Sequence, residues 1–200
     1  MTTIQKIRGM LSFGKRSASC HGEGLGIEEN GLKKVGIVGT PNVGKSVIFN
    51  ALTGAYVTVS NYPGTTVNVS RGKARIQGEE CEVIDTPGMY SLMPITEEER
   101  VARTMLLAEK PDVILHVVDA RNLDRMLPLT IQLIEAGLPV MLDLNMMDET
   151  EAAGIEINVE QLERELGIPV IATVATTGRG IETLKKRLAE YVRNQHYTEV

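Results

Sequence analysis

The segment Gly39-Thr40-Pro41-Asn42-Val43-Gly44-Lys45-Ser46 constrains this chain more than any other. It follows Lys34-Val35-Gly36-Ile37-Val38, a β-branched run that reads as a buried strand. It precedes Val47-Ile48-Phe49-Asn50-Ala51-Leu52, which reads as a helix ended by Gly54. A strand, a GxxxxGK[ST] loop and a helix in that order form a phosphate-binding loop. Its glycines let the backbone curl so that successive N–H groups point at a β-phosphate, and the helix N-terminus adds partial positive charge. Lys45 is expected to reach the β- and γ-phosphates, and the Ser46 hydroxyl to ligate Mg²⁺.

A chain of 200 residues is long enough for one domain with a buried core. The formal net charge of −5 argues against a general nucleic-acid surface, because such binding is mostly phosphate neutralisation by Lys and Arg. Cys20 and Cys81 are unlike a disulfide framework, which points to a reducing compartment. No apolar run approaches the roughly 20 residues that span a bilayer, so the chain as given is expected to be soluble. Residues 1–30 read as an extension and linker, 31–193 as the nucleotide domain and 194–200 as a tail. In the extension, Ile4, Ile7, Met10, Leu11 and Phe13 alternate with Lys6, Arg8, Lys15 and Arg16. That pattern gives a short basic amphipathic helix, either a docked or frayed end or a contact for an anionic membrane surface. Cys20, His21 and Glu23 are metal-ligating types, but three donors in a glycine-rich loop do not make a site.

Downstream motifs give the loop its context. The stretch from Ala55 to Thr66, with Pro63-Gly64 as a turn signal, reads as a flexible loop whose Thr65 and Thr66 stand at the entrance of an alternating strand over Val67 to Ile76, where a threonine can close over Mg²⁺ and the γ-phosphate. Glu82-Val83-Ile84 reads as a strand delivering Asp85-Thr86-Pro87-Gly88: a carboxylate for Mg²⁺ through water, then an N–H for the γ-phosphate. Val113 to Val118 reads as a central strand whose His116 is a core or strand-end histidine and not a catalyst, and Asn122 as the cap of the next helix. Pro139 to Leu144 reads as a strand leading to Asn145-Met146-Met147-Asp148. An Asn and an Asp at that spacing can read guanine, the carboxylate accepting from N1–H and the exocyclic amine. A helix over Val159 to Leu166, a sixth strand over Pro169 to Thr173 and a helix striped by Ile181, Leu184, Leu188 and Val192 complete the chain. Between the last strand and helix, Val174-Ala175-Thr176-Thr177-Gly178 can back the base with its main chain. Strands alternating with helices predict a six-stranded, mostly parallel α/β sheet covered on both faces, with nucleotide at the strands' carboxyl ends.

In this order the motifs resemble the translation-factor-related small GTPases, P-loop NTPases with a Ras-like G domain. The match is closer to the cytosolic G domain of the bacterial ferrous iron transport protein FeoB. It covers about Lys34 to Arg193, and the Gly39–Ser46 loop, Asn61-Tyr62-Pro63-Gly64-Thr65-Thr66-Val67, Asp85-Thr86-Pro87-Gly88-Met89-Tyr90-Ser91-Leu92, Val117-Val118-Asp119-Ala120-Arg121-Asn122-Leu123-Asp124-Arg125 and Leu144-Asn145-Met146-Met147-Asp148-Glu149 carry it. The resemblance implies GTP and GDP with Mg²⁺ held by Ser46, Thr66 and Asp85. It makes Thr66 the first-switch threonine, Asp85 and Gly88 the second switch, and Asn145 and Asp148 the guanine readers beside Met146. Asn42 matches the asparagine that helps hold K⁺ in potassium-activated members. Met89 stands where Ras-like proteins place a water-orienting glutamine, which implies slow hydrolysis unless K⁺, the backbone or a partner supplies the missing stabilisation. Val174 replaces the usual serine of the base-backing loop. A membrane-spanning iron-transport partner at the cytoplasmic face of the bacterial inner membrane is implied. The alternatives are a ribosome-assembly or RNA-modification GTPase and a nucleotide-binding regulatory module with negligible catalysis.

Overall fold

A computed structural model describes residues 32–54 and 57–195. The expectations for Met1 to Asn30, the Cys20–His21–Glu23 donors among them, and for residues 196–200 lie outside the described residues. The chain builds strands β1 (Lys33–Val38), β2 (Val57–Asn61), β3 (Asn68–Ile76), β4 (Glu79–Asp85), β5 (Val113–Asp119), β6 (Val140–Asn145) and β7 (Val170–Ala172). Helices α1 (Lys45–Thr53), α2 (Glu97–Glu109), α3 (Leu123–Glu135), α4 (Met147–Ala152), α5 (Val159–Leu166) and α6 (Ile181–Gln195) intervene. The strands form one sheet in the order β2-β3-β4-β1-β5-β6-β7. β4, β1, β5, β6 and β7 run parallel, whereas β2–β3 and β3–β4 pair antiparallel.

Seven strands, not six, follow because Val57-Thr58-Val59-Ser60-Asn61 pairs as an edge strand on β3. The alternation of β-branched and polar residues suits a pleated strand, yet every residue of β2 is exposed, so burial patterning alone did not mark it. The tip of this β2–β3 hairpin is closed by Tyr62 N–H donating to Val67 O at 2.8 Å and Thr65 N–H to Tyr62 O at 3.0 Å. Where a flexible loop is expected, residues 57–61 are therefore an edge strand and the rest is a tied hairpin end.

Two apolar layers flank the sheet. Val35, Ile37, Val83, Leu115 and Val117 face one layer with Ile48 and Phe49 of α1 and the predicted α6 stripe of Ile181, Leu184, Leu188 and Val192. Val38, Ile114, Val118, Leu142 and Leu144 face the other with Leu106 of α2 and Leu129 and Leu133 of α3. Period-two alternation along β1, β5 and β6 sends neighbours into opposite layers, the signature of a sheet buried on both faces. Apolar periodicity does not mark α2, but Thr96 and Glu99 form a reciprocal capping box that the spacing Thr-x-x-Glu encodes. Asn122 does not cap α3 with its side chain; it donates Nδ2–H to Asp119 Oδ2 at 3.0 Å instead. Of the two places open to His116, core or strand end, it takes the core: it is fully buried with Nδ1 2.9 Å from Thr130 Oγ1, and burial pushes its pKa down to about 3.

Candidate nucleotide site

All of the strand-end motifs meet at the carboxyl edge of the parallel strands, where β1 hands the chain to α1 and β6 to α4. The loop after β1 needs residues that accept left-handed backbone: Asn42 has φ 68° and Gly44 φ 92°. Side chains are also excluded by crowding. A Cβ on Gly39 would lie 2.3 Å from Val117 O, and one on Gly44 2.3 Å from Asn145 Nδ2. Gly44 is the N-cap of α1 and no side chain caps that helix. The Val47 N–H already donates to Gly44 O at 3.0 Å, and with no side chain on the cap the start of the helix and its dipole stay open to an anion.

Within the loop, Lys45 Nζ donates to Thr40 O at 3.2 Å. Burial lowers the Lys45 pKa and the Asp85 charge partly restores it, so the cation is desolvated and held over its own loop. Ser46 Oγ donates to Asp85 Oδ2 at 2.9 Å. Asp85 Oδ1 is buried without a partner, and burial raises this carboxyl against the Ser46 bond and the Lys45 charge. A hydroxyl, a carboxylate and an unsatisfied carboxylate oxygen form a hard-oxygen donor set that fits Mg²⁺. Gly88 packs on the loop: a Cβ there would meet Pro41 Cγ at 2.8 Å. Met89 N–H donates to Gly39 O at 3.1 Å, and its side chain is fully buried.

The base side is built around Asn145. Its Nδ2 donates to Val43 O at 2.9 Å, and its Oδ1 accepts from Ala175 N–H at 3.0 Å. One side chain thus bolts the phosphate loop to the loop after β7. The Ala175 amide, expected to back a base, is already committed to Asn145. Met146 adopts the left-handed region, φ 63°, as N-cap of α4, which leaves Asp148 exposed in the helix's first turn. Sequence reading gives Arg121 no role of its own, yet it ties this corner together. Its Nε and Nη2 grip Asp119 at 3.0 and 2.9 Å, while the guanidinium also meets Glu149 and Met146 Sδ. Burial raises the Asp119 pKa, but the Arg121 and Asn122 bonds outweigh it and leave the carboxyl below its usual range.

A cleft of about 350 Å³ opens between these two sides. Asn42, Gly44, Lys45, Ser46, Asn145, Met146, Asp148, Val174, Ala175 and Thr176 line it. Gly39, Thr40, Pro41 and Val43 form the rest of the loop, and Asp85 and Gly88 join through Ser46 and Pro41. Thr65 and Thr66 do not line the cleft: Thr65 Oγ1 donates back to Tyr62 O at 2.9 Å, and Thr66 is exposed on the hairpin tip. Met93 and Ile95 stand in solvent at 79 % and 84 % exposure, on a segment whose amides are strapped by Glu99 and Gln132.

The sequence family described as Ferrous iron transport protein B (FeoB_N) matches residues 33–188. The chain belongs to this family. The Fe(2+) transporter FeoB of Escherichia coli K12 is 40% identical over 166 residues, covering 81% of this chain and 22% of that protein. A fusion of Fe(2+) transport protein A and FeoB from Porphyromonas gingivalis is 45% identical over 160 residues, 79% of this chain and 19% of that protein. The chain therefore spans about a fifth of the length of the curated relatives it matches. Among solved structures, the cytosolic domain of the T. maritima FeoB iron transporter in a GDP form is similar with TM-score 0.78 and 38% identity, over 80% of this chain and 63% of that one. The FeoB G domain from Methanococcus jannaschii is similar with TM-score 0.71 and 42% identity, over 80% of this chain and 97% of that one. The fold is accordingly that of a FeoB G domain, a GTP-binding switch architecture. Among the described residues no helix is long and apolar enough to cross a membrane.

Proposed function

We propose that this chain binds and hydrolyses GTP as a switch for ferrous iron transport, acting beside a membrane-spanning transport part at the cytoplasmic face of the bacterial inner membrane. The observation that carries the reading is the single cleft in which an uncapped helix N-terminus with Lys45 faces Asn145 and Asp148. Asp148 reads the guanine edge with its carboxylate. Asn145, spent on Val43 and Ala175, holds the frame in which that reading occurs. On GTP binding, Lys45 leaves Thr40 O for the phosphates, and the α1 amides and the Gly88 N–H take the remaining charge. Mg²⁺ would be held by Ser46 and Asp85, later by Thr66, and would neutralise charge developing on the phosphates. K⁺ would sit beside Asn42, whose side chain is exposed in the cleft.

Hydrolysis is slow on this reading, because Met89 lies in the core and offers nothing to a water in the cleft. Thr66 closes over the γ-phosphate only after the hairpin tip moves, so γ-phosphate loss releases it and signals the nucleotide state. The test is multiple-turnover hydrolysis in Mg²⁺ buffer with KCl against equimolar NaCl and with ATP as control. K⁺-accelerated turnover of GTP but not ATP is the expected result. Equal, negligible rates in both salts with GTP still bound would replace the enzyme by a binding module, the reading that Met89 burial otherwise favours. Equal handling of ATP would remove the guanine assignment.

A further inference from the structure

β6 carries an anomaly that nucleotide binding does not explain. In Val140-Met141-Leu142-Asp143-Leu144-Asn145 every residue is buried, yet the strand includes a carboxylic acid. Asp143 is wholly inaccessible, its Oδ2 has no hydrogen-bond partner, and its Oδ1 lies 2.8 Å from Thr173 Oγ1. The same Thr173 oxygen is 3.3 Å from Asn145 Oδ1. Thr173 cannot drift between them, because its N–H donates to Leu144 O at 2.8 Å and its carbonyl accepts from Met147 N–H at 3.2 Å. Only its hydroxyl hydrogen is free to turn.

Resting on the guanine-site reading above, we propose that Asp143 and Thr173 are positioning residues for Asn145. They form a proton-controlled relay that sets how firmly the base side is bolted to the phosphate loop. The argument is one of donor supply. A hydroxyl has a single hydrogen, and here two acceptors compete for it. When Asp143 is ionised, its carboxylate takes the Thr173 hydrogen, and Asn145 Oδ1 keeps only the Ala175 amide. When Asp143 takes a proton from solvent, the new O–H has Thr173 Oγ1 as its polar neighbour and donates there. The Thr173 hydrogen is then released to Asn145 Oδ1, and a three-member chain runs from Asp143 through Thr173 to Asn145. Bonds in such a chain reinforce one another, so the Asn145 Nδ2–H grip on Val43 O tightens.

The surroundings suit a group that titrates in the working range. At the register of Asp143 stand Val117 on β5 and Ile171 on β7, and the core on that face holds Met141, Ile181 and Leu184. Among the described residues no charged side chain acts on this carboxyl. Burial pushes it up to about 7, and the Thr173 bond pulls the other way. The tight state therefore prevails below this value and fades as pH rises through it.

The test measures GDP binding to the full chain in Mg²⁺ buffer from pH about 6 to about 8, for wild type, Asp143→Asn, Thr173→Val and Thr173→Ser. Wild type is expected to lose about three- to tenfold in affinity across the range. Asp143→Asn supplies a permanent donor to Thr173 and stays tight at both ends. Thr173→Val cuts the relay and is weak and flat, and Thr173→Ser restores the slope. In parallel, the side-chain amide signals of Asn145 in the nucleotide-free protein are followed by NMR, where wild type shifts with pH and Thr173→Val does not. Asp143→Asn or Thr173→Val keeping the wild-type slope overturns the relay. So does GDP binding with Asn145 signals that ignore pH, an outcome that leaves the guanine reading intact. Asn145 signals that titrate through Thr173 in a protein that binds no GDP sustain the relay and remove the guanine reading instead.

Discussion

The two sides of the cleft differ in how much is assembled before a ligand arrives. On the base side, Asn145, Thr173 and Ala175 are buried and bonded to one another, and Arg121 fixes the outer corner. On the switch side, Thr66 is exposed on a hairpin tip and Asp85 Oδ1 waits without a partner. The base is a constant part of GTP and GDP, so a rigid reader loses nothing. The γ-phosphate is the variable part, and only a segment with another stable position can report its presence. Preassembly on one side and displacement on the other are thus the two requirements of a switch.

The strongest way to break this division is to strike the residue both sides share. Gly44 sits at φ 92° with a Cβ position 2.3 Å from Asn145 Nδ2. Gly44→Ala forces backbone strain and displaces the Asn145 amide from Val43. Together these cost about 3 kcal/mol of stability. Denaturant unfolding should show the loss and calorimetry should show no GDP binding. A Gly44→Ala protein of normal stability and affinity would mean the bolt carries nothing.

Met89 sharpens the comparison on the switch side. The segment leaving Asp85 dips into the core at this residue before emerging at Tyr90, which is 66 % exposed. Met89→Gln places an amide among Val38, Ala102 and Leu106 and costs about 2 kcal/mol. No gain in GTP turnover accompanies it, because the new group stays in the core. A rise in turnover at unchanged stability would show that position 89 reaches the cleft.

What sequence conveys divides along the same line. The Gly39–Ser46 loop and the Asn145–Asp148 spacing are local patterns whose chemistry demands one geometry, and the structure sets both on one cleft. The α6 stripe was legible because burial recurs at the helical period. β2 was not, since an edge strand exposed along its length leaves no burial pattern, and only pairing with β3 creates it. Nor was the burial of Met89, which depends on how α2 packs under the segment rather than on its neighbours in sequence. The role of Asn145 lay between: its motif located it, but its bonds to Val43 and Ala175 come from residues about 100 and 30 positions away.

The smallest expected effect is the most selective. Thr66 is solvent-exposed on the hairpin tip, while its neighbour Thr65 is turned back on Tyr62. Removing the Thr66 hydroxyl should leave stability within about 0.5 kcal/mol. GDP affinity should stay within about twofold, because the hairpin tip does not line the base and β-phosphate side of the cleft. If Thr66 ligates Mg²⁺ as proposed, GTP turnover should fall about tenfold, since water would replace the hydroxyl on the ion without carrying the strand's position with it. Single-turnover hydrolysis of Thr66→Ala beside GDP titration separates the two quantities. Equal losses in both would place Thr66 in the preassembled side. An unchanged turnover would mean that the β2–β3 hairpin keeps its observed position throughout the cycle and that some other segment reports the γ-phosphate.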